Sequence, residues 1–152
     1  MKYKEGIKIV GTLTLRLYED NKVVRTIKLH NLVTDLGRQH LANQLSSSPS
    51  QPVMSYMAIG SSNGQDATSQ TLATETARVV LTRREQGSGG DANKVVYEGY
   101  FDEGVGTGNV SEAGIFNSSS GGTMLSYASF GTLNKTESIA LKITWEVGFM
   151  SS

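Results

Sequence analysis

The stretch IALKITWEVGF, residues 139–149, decides the fold class of this chain. Its apolar residues alternate strictly with small or polar ones, and a period of two residues is typical of a β-strand that buries one face. We therefore predict a long core strand near the C-terminal end of the sequence. The residues predicted to face the core are Ile139, Leu141, Ile143, Trp145, Val147 and Phe149.

The N-terminal segment repeats the alternation. A first run ends at the polar turn 19–22, and a second run containing Val23, Ile27 and Leu29 follows it. Two such runs joined by a short polar turn predict an antiparallel hairpin. Further β-rich runs are separated by Gly, Ser, Asn and Asp clusters, and they lie at 54–60, 77–83, 95–101 and 123–130.

One segment has a different periodicity. Thr34 or Asp35 can cap a helix in which apolar positions and His40 recur with roughly helical spacing up to Leu45. With about seven strands, one short helix and no helical crossovers, the pattern predicts a mainly β fold. We expect a single antiparallel β-sandwich or jelly-roll-like domain over residues 1–152, with 1–6 as an extended N-terminal arm. The polar segments 61–76 and 84–94 are predicted to project from the surface.

The composition excludes several classes of function. The chain has 14 basic and 14 acidic residues, and they are scattered singly, so no charged face is expected to bind nucleic acid or an anionic membrane. No window is apolar enough for a membrane span, and the N-terminus does not resemble a signal peptide. With no cysteine in the chain, disulfides and thiolate metal sites are excluded.

The residues that usually carry catalysis are sparse. His30 and His40 are the two histidines, and a solvated or core-edge role is the better interpretation of each. Asp102 and Glu103 can pair with Glu112 across a turn, but the segment lacks the alternating oxygen ligands of a calcium loop. The glycine-rich segments lack the helix and the Gly-Lys-Ser/Thr ending of phosphate loops. The sequence predicts no enzyme, no cofactor and no metal.

The segment VSEAGIF, residues 110–116, predicts a structural knuckle made by Glu112, Gly114 and Phe116. The Glu112 carboxylate can accept hydrogen bonds from turn N–H groups, and Gly114 can adopt a conformation closed to other residues. Such a turn would direct Ile115 and Phe116 into the core. We interpret the knuckle as a folding device because no base or nucleophile stands beside it.

Several motifs follow one another in an order that covers residues 11–149. Asn-Leu-Val-Thr-x-x-Gly enters the predicted helix at 31–37, and Ala-Ile-Gly ends a strand at 58–60 ahead of a threonine-rich loop. Glu-Ala-Gly-Ile-Phe occupies 112–116, and Thr-Trp at 144–145 lies in the last strand. In this order and spacing, the chain resembles virion structural proteins of tailed bacteriophages.

The resemblance implies a part of a virion made in the host cytoplasm. The first hypothesis is a capsid decoration, or cement, protein that binds the outer capsid surface as a homotrimer and bridges copies of the major capsid protein. Because such a protein binds only the assembled shell, it stabilises that shell by mass action. The alternative is a tail-side fibre, baseplate or adaptor protein involved in host attachment. A carbohydrate-active enzyme would need a carboxylate pair across a cleft, which no motif indicates.

Overall fold

The computed structural model describes residues 6–152, which form two five-stranded sheets and one α-helix. The described strands are β1 Ile7–Glu19, β2 Lys22–His30, β3 Leu32–Val33, β4 Tyr56–Gly60, β5 Glu75–Val80, β6 Arg83–Gln86, β7 Lys94–Phe101, β8 Gly108–Phe116, β9 Met124–Lys135 and β10 Ile139–Ser151. The helix α1 is Asp35–Leu45, and a 3-10 turn spans Gly89–Asp91.

The two sheets are antiparallel and are stacked as a sandwich. Sheet 1 has the strand order β2-β1-β10-β7-β6, and sheet 2 has the order β3-β9-β8-β4-β5. The predicted N-terminal hairpin is β1–β2, and β1 also pairs with β10 from Ile7 opposite Ser151 to Glu19 opposite Ile139. The prediction of a mainly β, antiparallel sandwich with one short helix is confirmed.

The core between the sheets is built by the alternation seen in the sequence. Trp145 lies between Leu13 on β1 and Tyr97 on β7, and its side chain is fully buried. Sheet 2 contributes Ile115 and Met57 to the same cluster. Of the predicted core residues in β10, Leu141, Ile143, Trp145 and Val147 are buried, whereas Ile139 and Phe149 near the strand ends are half-buried.

Helix α1 begins at the predicted cap and packs against β9. The Thr34 hydroxyl accepts a hydrogen bond from the Gly37 N–H at 2.9 Å, and it donates one to the Met124 carbonyl. Gly37 lies so close to β9 that a Cβ atom there would stand 2.2 Å from the Leu125 carbonyl oxygen. The Thr34 hydroxyl therefore fixes both the first residue of the helix and the position of the helix against sheet 2.

Both predicted projections differ from the structure. Segment 61–76 returns across sheet 2, and its Leu72 is 4% exposed. Segment 84–94 contains most of β6, which pairs with β7, and the 3-10 turn. Although both segments are polar in composition, the buried Leu72 holds 61–76 against sheet 2, and backbone pairing with β7 holds 84–94 at the edge of sheet 1.

The predicted N-terminal arm lies almost wholly outside the described residues. Within the described part, the Gly6 carbonyl accepts a hydrogen bond from the Ser152 N–H at 3.1 Å and so continues the pairing of β1 with β10. Across residues 6–152, no helix combines the length and the apolar character needed to cross a bilayer.

Candidate functional site

The outer face of sheet 2 carries a second apolar cluster. Successive residues of a strand point to opposite faces, so Ile115 joins the core between the sheets while Phe116 joins the outer cluster. Leu72, on the 61–74 loop, packs into this cluster from outside. The full set of buried residues is Ala58, Leu72, Phe116, Met124 and Tyr127. The loop thus covers apolar surface on sheet 2 that would otherwise face water.

Glu112 attaches this loop to the sheet. Its side chain is fully buried in β8, and Oε2 accepts hydrogen bonds from the N–H groups of Thr74 at 2.8 Å and Ser62 at 3.3 Å. Oε1 accepts from the Ala73 N–H at 2.7 Å and from the Tyr127 hydroxyl at 3.1 Å. A buried carboxylate is tolerated only when such donors replace its hydration. Three of the four donors belong to the loop and the fourth, the Tyr127 hydroxyl, belongs to β9, so the carboxylate ties the loop to the sheet.

The predicted knuckle is not a turn. Glu112, Gly114 and Phe116 lie within β8, which pairs with both β4 and β9, and Gly114 does not have a positive φ. The prediction that these residues reverse the chain is therefore wrong. Gly114 is instead a place of close packing, because a Cβ atom there would lie 3.0–3.1 Å from Phe116, Leu72 and Met124. Glu112, Gly114 and Phe116 all lie on the outer face of sheet 2, where the 61–74 loop packs against them.

Tyr127 is the side-chain partner of Glu112. Burial, and then the charge and hydrogen bond of Glu112, raise the pKa of Tyr127 to about 12. The phenol therefore stays protonated and donates to the carboxylate over the whole neutral range. No sequence motif indicates a role for Tyr127, because its contact with Glu112 is made across the neighbouring strands β8 and β9.

Arg78 closes the other side of the outer cluster. Its guanidinium lies 3.8 Å from the centre of the Phe116 ring and pairs with both carboxylate oxygens of Glu75. The same group donates to the carbonyls of Ser118 and Gly121 at 2.8 and 2.9 Å. The side chain is thus 8% exposed and joins the edge strand β5 to the β8–β9 loop. The planar fork of Arg suits this combination of stacking and paired hydrogen bonds.

The candidate catalytic and metal-binding residues do not assemble into a site. His40 is buried and its Nδ1 lies 3.1 Å from Gln51 Oε1, whereas His30 is exposed at the end of β2. Asp102 and Glu103 are exposed in the loop after β7, while Glu112 is buried beneath the 61–74 loop. Among residues 6–152, no group of three His, Asp or Glu side chains is arranged to hold a metal ion.

Lys135 is a further buried charge that the sequence did not reveal. The side chain is fully buried at the end of β9, and its ammonium donates to the Asp102 carbonyl at 2.8 Å. Burial lowers the pKa of Lys135, and the nearby carboxylates of Asp102 and Glu103 oppose that shift. This hydrogen bond holds the β7–β8 loop against β9.

Comparison with known proteins adds one finding. Residues 33–142, more than two thirds of the chain, match the family model described as podophage GP4 fiber I protein gp80. The matched region begins at the end of β3 and ends within β10, so it includes the whole outer cluster of sheet 2. No curated protein and no solved structure matches the chain.

Proposed function

The chain belongs to the family of podophage GP4 fiber I protein gp80, and on that premise we propose that it is a tail-side fibre component of a phage virion that takes part in host attachment. Membership supports a structural role in a phage particle. Between the two positions that the sequence left open, the family favours the tail side over capsid decoration.

The observation that carries this proposal is the extent of the family match. It covers α1 and the strands β4–β9, including the residues that fix the 61–74 loop. The match therefore covers most of the strands and the residues that pack between them, and it is not limited to a short motif. A fibre subunit needs such a rigid scaffold, because it presents surfaces to other proteins and to the host.

We further propose that the chain has no catalytic activity. Glu112, the most buried carboxylate among the described candidates, is engaged by four hydrogen bonds from the protein itself. General acid–base catalysis needs a group that can exchange its proton with a substrate. The described arrangement supports a binding and structural role.

Labelling of intact virions tests the proposed location. We expect Fab fragments raised against this chain, viewed by electron microscopy, to mark the tail, while Fab fragments against the major capsid protein mark the head. Quantitative mass spectrometry should give far fewer copies of this chain than of the major capsid protein. An even label over the head, with a copy number close to that of the major capsid protein, would contradict the proposal and favour the decoration protein.

Virions that lack the chain provide the functional test. If the chain is a tail-side component, virions that lack it should retain their DNA on heating but adsorb poorly to host cells. A capsid decoration protein predicts the opposite, because the shell loses the binding energy that opposes its opening. Sedimentation analysis of the purified chain tests separately the homotrimer that was predicted with the decoration hypothesis.

A further inference from the structure

The outer face of sheet 1 differs from that of sheet 2 because no described loop or helix covers it. It consists of the side chains at even-numbered positions of β1 and β10, together with their neighbours on β2, β7 and β6. Residues in the centre of this face, such as Thr12, Thr14 and Thr144, are half-buried, and those toward its edges are exposed. As far as residues 6–152 are concerned, the face is therefore accessible to a ligand.

Two grooves cross this face and meet at Thr12 and Glu146. The first has a volume of about 450 Å³ and is bordered by Lys28 and His30 on the β2 side. The second has a volume of about 370 Å³ and is bordered by Lys8 and Lys94, with Gly148 in its floor. Together they form one shallow channel across four strands. Its walls offer threonine hydroxyls, ammonium groups and one carboxylate as hydrogen-bonding groups.

The charge on this face is unbalanced, although the chain as a whole is neutral. Six Lys or Arg side chains share it with three glutamates. The cations are Lys8, Arg16, Lys28, Arg83, Lys94 and Lys142, and the glutamates are Glu85, Glu98 and Glu146. Among the described residues, ion pairs engage Arg83 and Lys94, and the other four cations have no carboxylate within 4.0 Å. A negatively charged ligand would find complementary charges here.

Two tyrosines lie on the same face beyond the first groove. Lys142 stands opposite Tyr100 in the β10–β7 register, and its ammonium lies 5.8 Å from the centre of the Tyr18 ring. Tyr100 is 39% exposed. An exposed aromatic ring can stack on the apolar face of a sugar, while its hydroxyl and the adjacent ammonium bind sugar hydroxyls or carboxylates.

We propose that the outer face of sheet 1 binds an acidic oligosaccharide that lies along the two grooves and against Tyr100. This inference rests on the proposed role in host attachment, and it names the class of ligand. β1 and β2, which supply much of the face, precede the residues that match the family. A protein partner suits the face less well, because the centres of protein interfaces are depleted in charge, whereas lysine, glutamate and threonine side chains line both grooves here, beside Val10 and Met150 in the second.

Binding to defined polysaccharides by the purified full-length chain tests the proposal. The acidic probes are polygalacturonate and hyaluronate, the neutral probe is dextran, and sheared double-stranded DNA serves as a polyanion without sugar carboxylates. We expect calorimetry to detect binding of at least one acidic polysaccharide, weaker at higher salt, and no binding of dextran. Tyr100→Ala and Lys28→Glu should each weaken that binding by about tenfold.

Lys22→Glu is the matched control, because Lys22 is exposed on the same strand as Lys28 but lies outside both grooves. It should leave binding within about twofold of the original chain. Binding of neither acidic polysaccharide, equal binding of DNA, or binding that both Tyr100→Ala and Lys28→Glu leave unchanged would each overturn the proposal. A change of oligomeric state in Tyr100→Ala or Lys28→Glu would also overturn it, since the face would then be an interface between copies. The location of the chain in the virion is measured separately, so this inference can fail while the proposed function stands.

Discussion

Glu112 shows at the scale of one residue how a charged side chain becomes part of a β-sandwich. The sequence suggested that a carboxylate next to a glycine accepts N–H groups of its own turn. The structure instead brings it N–H groups from Ser62, Ala73 and Thr74, which are 38–50 residues away in sequence. Hydrogen bonds to a charged acceptor are worth more than neutral ones, and a donor that loses this acceptor stays buried without a partner. One residue therefore fixes both ends of the loop.

We predict that Glu112→Gln lowers the free energy of unfolding by about 2–4 kcal/mol. The amide of Gln keeps one acceptor oxygen, but its NH₂ group replaces the other. That NH₂ group must face either the N–H groups of Ser62 and Thr74 or the Ala73 N–H and the Tyr127 hydroxyl, so donors on one side lose their acceptor. Urea denaturation measures the loss, and limited proteolysis should cut the 61–74 loop faster. Glu137→Gln is the control, because Glu137 is exposed in the β9–β10 turn. Equal stability of the two variants would show that the carboxylate is not needed.

Helix α1 and the 61–74 loop show how elements cover sheet 2. The helix is held by its N-cap and by the close approach of Gly37 to β9, and the loop is held by Glu112 and Leu72. Neither attachment depends on an amphipathic pattern, which explains why the loop composition indicated a projection. At these positions, close packing and buried hydrogen bonds attach α1 and the loop to sheet 2 in place of a large buried apolar surface.

Gly37→Ala separates packing from helix propensity. Alanine favours a helix interior over glycine by about 1 kcal/mol, so an isolated α1 would gain stability. In the folded chain the added Cβ would stand 2.2 Å from the Leu125 carbonyl oxygen, and we predict a net loss of about 2–3 kcal/mol on thermal or urea unfolding. The control is Gly131→Ala on β9, where a Cβ atom meets nothing within 4 Å. A stabilised Gly37→Ala variant would mean that α1 can move away from β9 at no cost.

The whole molecule responds to alkaline pH through opposing buried groups. Burial raises the pKa of Tyr97 as well as that of Tyr127, and it lowers the pKa of Lys135. A tyrosine whose folded pKa exceeds its unfolded value of about 10 stabilises the fold below pH 10, and that stability is lost as pH rises toward the folded value. The buried ammonium of Lys135 has the opposite effect, because its cost disappears as the pH approaches 10.5.

We therefore predict that the free energy of unfolding falls between pH 10 and pH 12, and that Tyr127→Phe makes this fall shallower. The loss assigned to Tyr127 approaches about 2–3 kcal/mol at pH 12. At pH 7 the variant should lose only about 1–2 kcal/mol, because Glu112 keeps its three N–H donors. Urea titrations at each pH measure both effects. Tyr56→Phe is the control, and an identical pH dependence in the two variants would contradict the assignment.

The strands and the helix cap could be read from the sequence because they depend on local periodicity. β10, the β1–β2 hairpin and the Thr34 cap all follow from residues within one turn or one strand. The sequence missed β8, whose glycine and glutamate resemble a turn, and it treated 77–83 as one run where the structure has the end of β5 and the start of β6. In each case pairing with a neighbouring strand outweighed local composition.

The sequence by itself determined that this chain is a mainly β sandwich, because alternation is a property of the chain alone. Only the tertiary structure decided which polar residues are buried and which faces are covered. Glu112, Arg78 and Lys135 are buried by partners distant in sequence, and within residues 6–152 nothing covers the outer face of sheet 1, whereas the 61–74 loop covers that of sheet 2. The physical reason is that burial of a charge depends on donors and carbonyls that the fold brings together, and no local pattern specifies them.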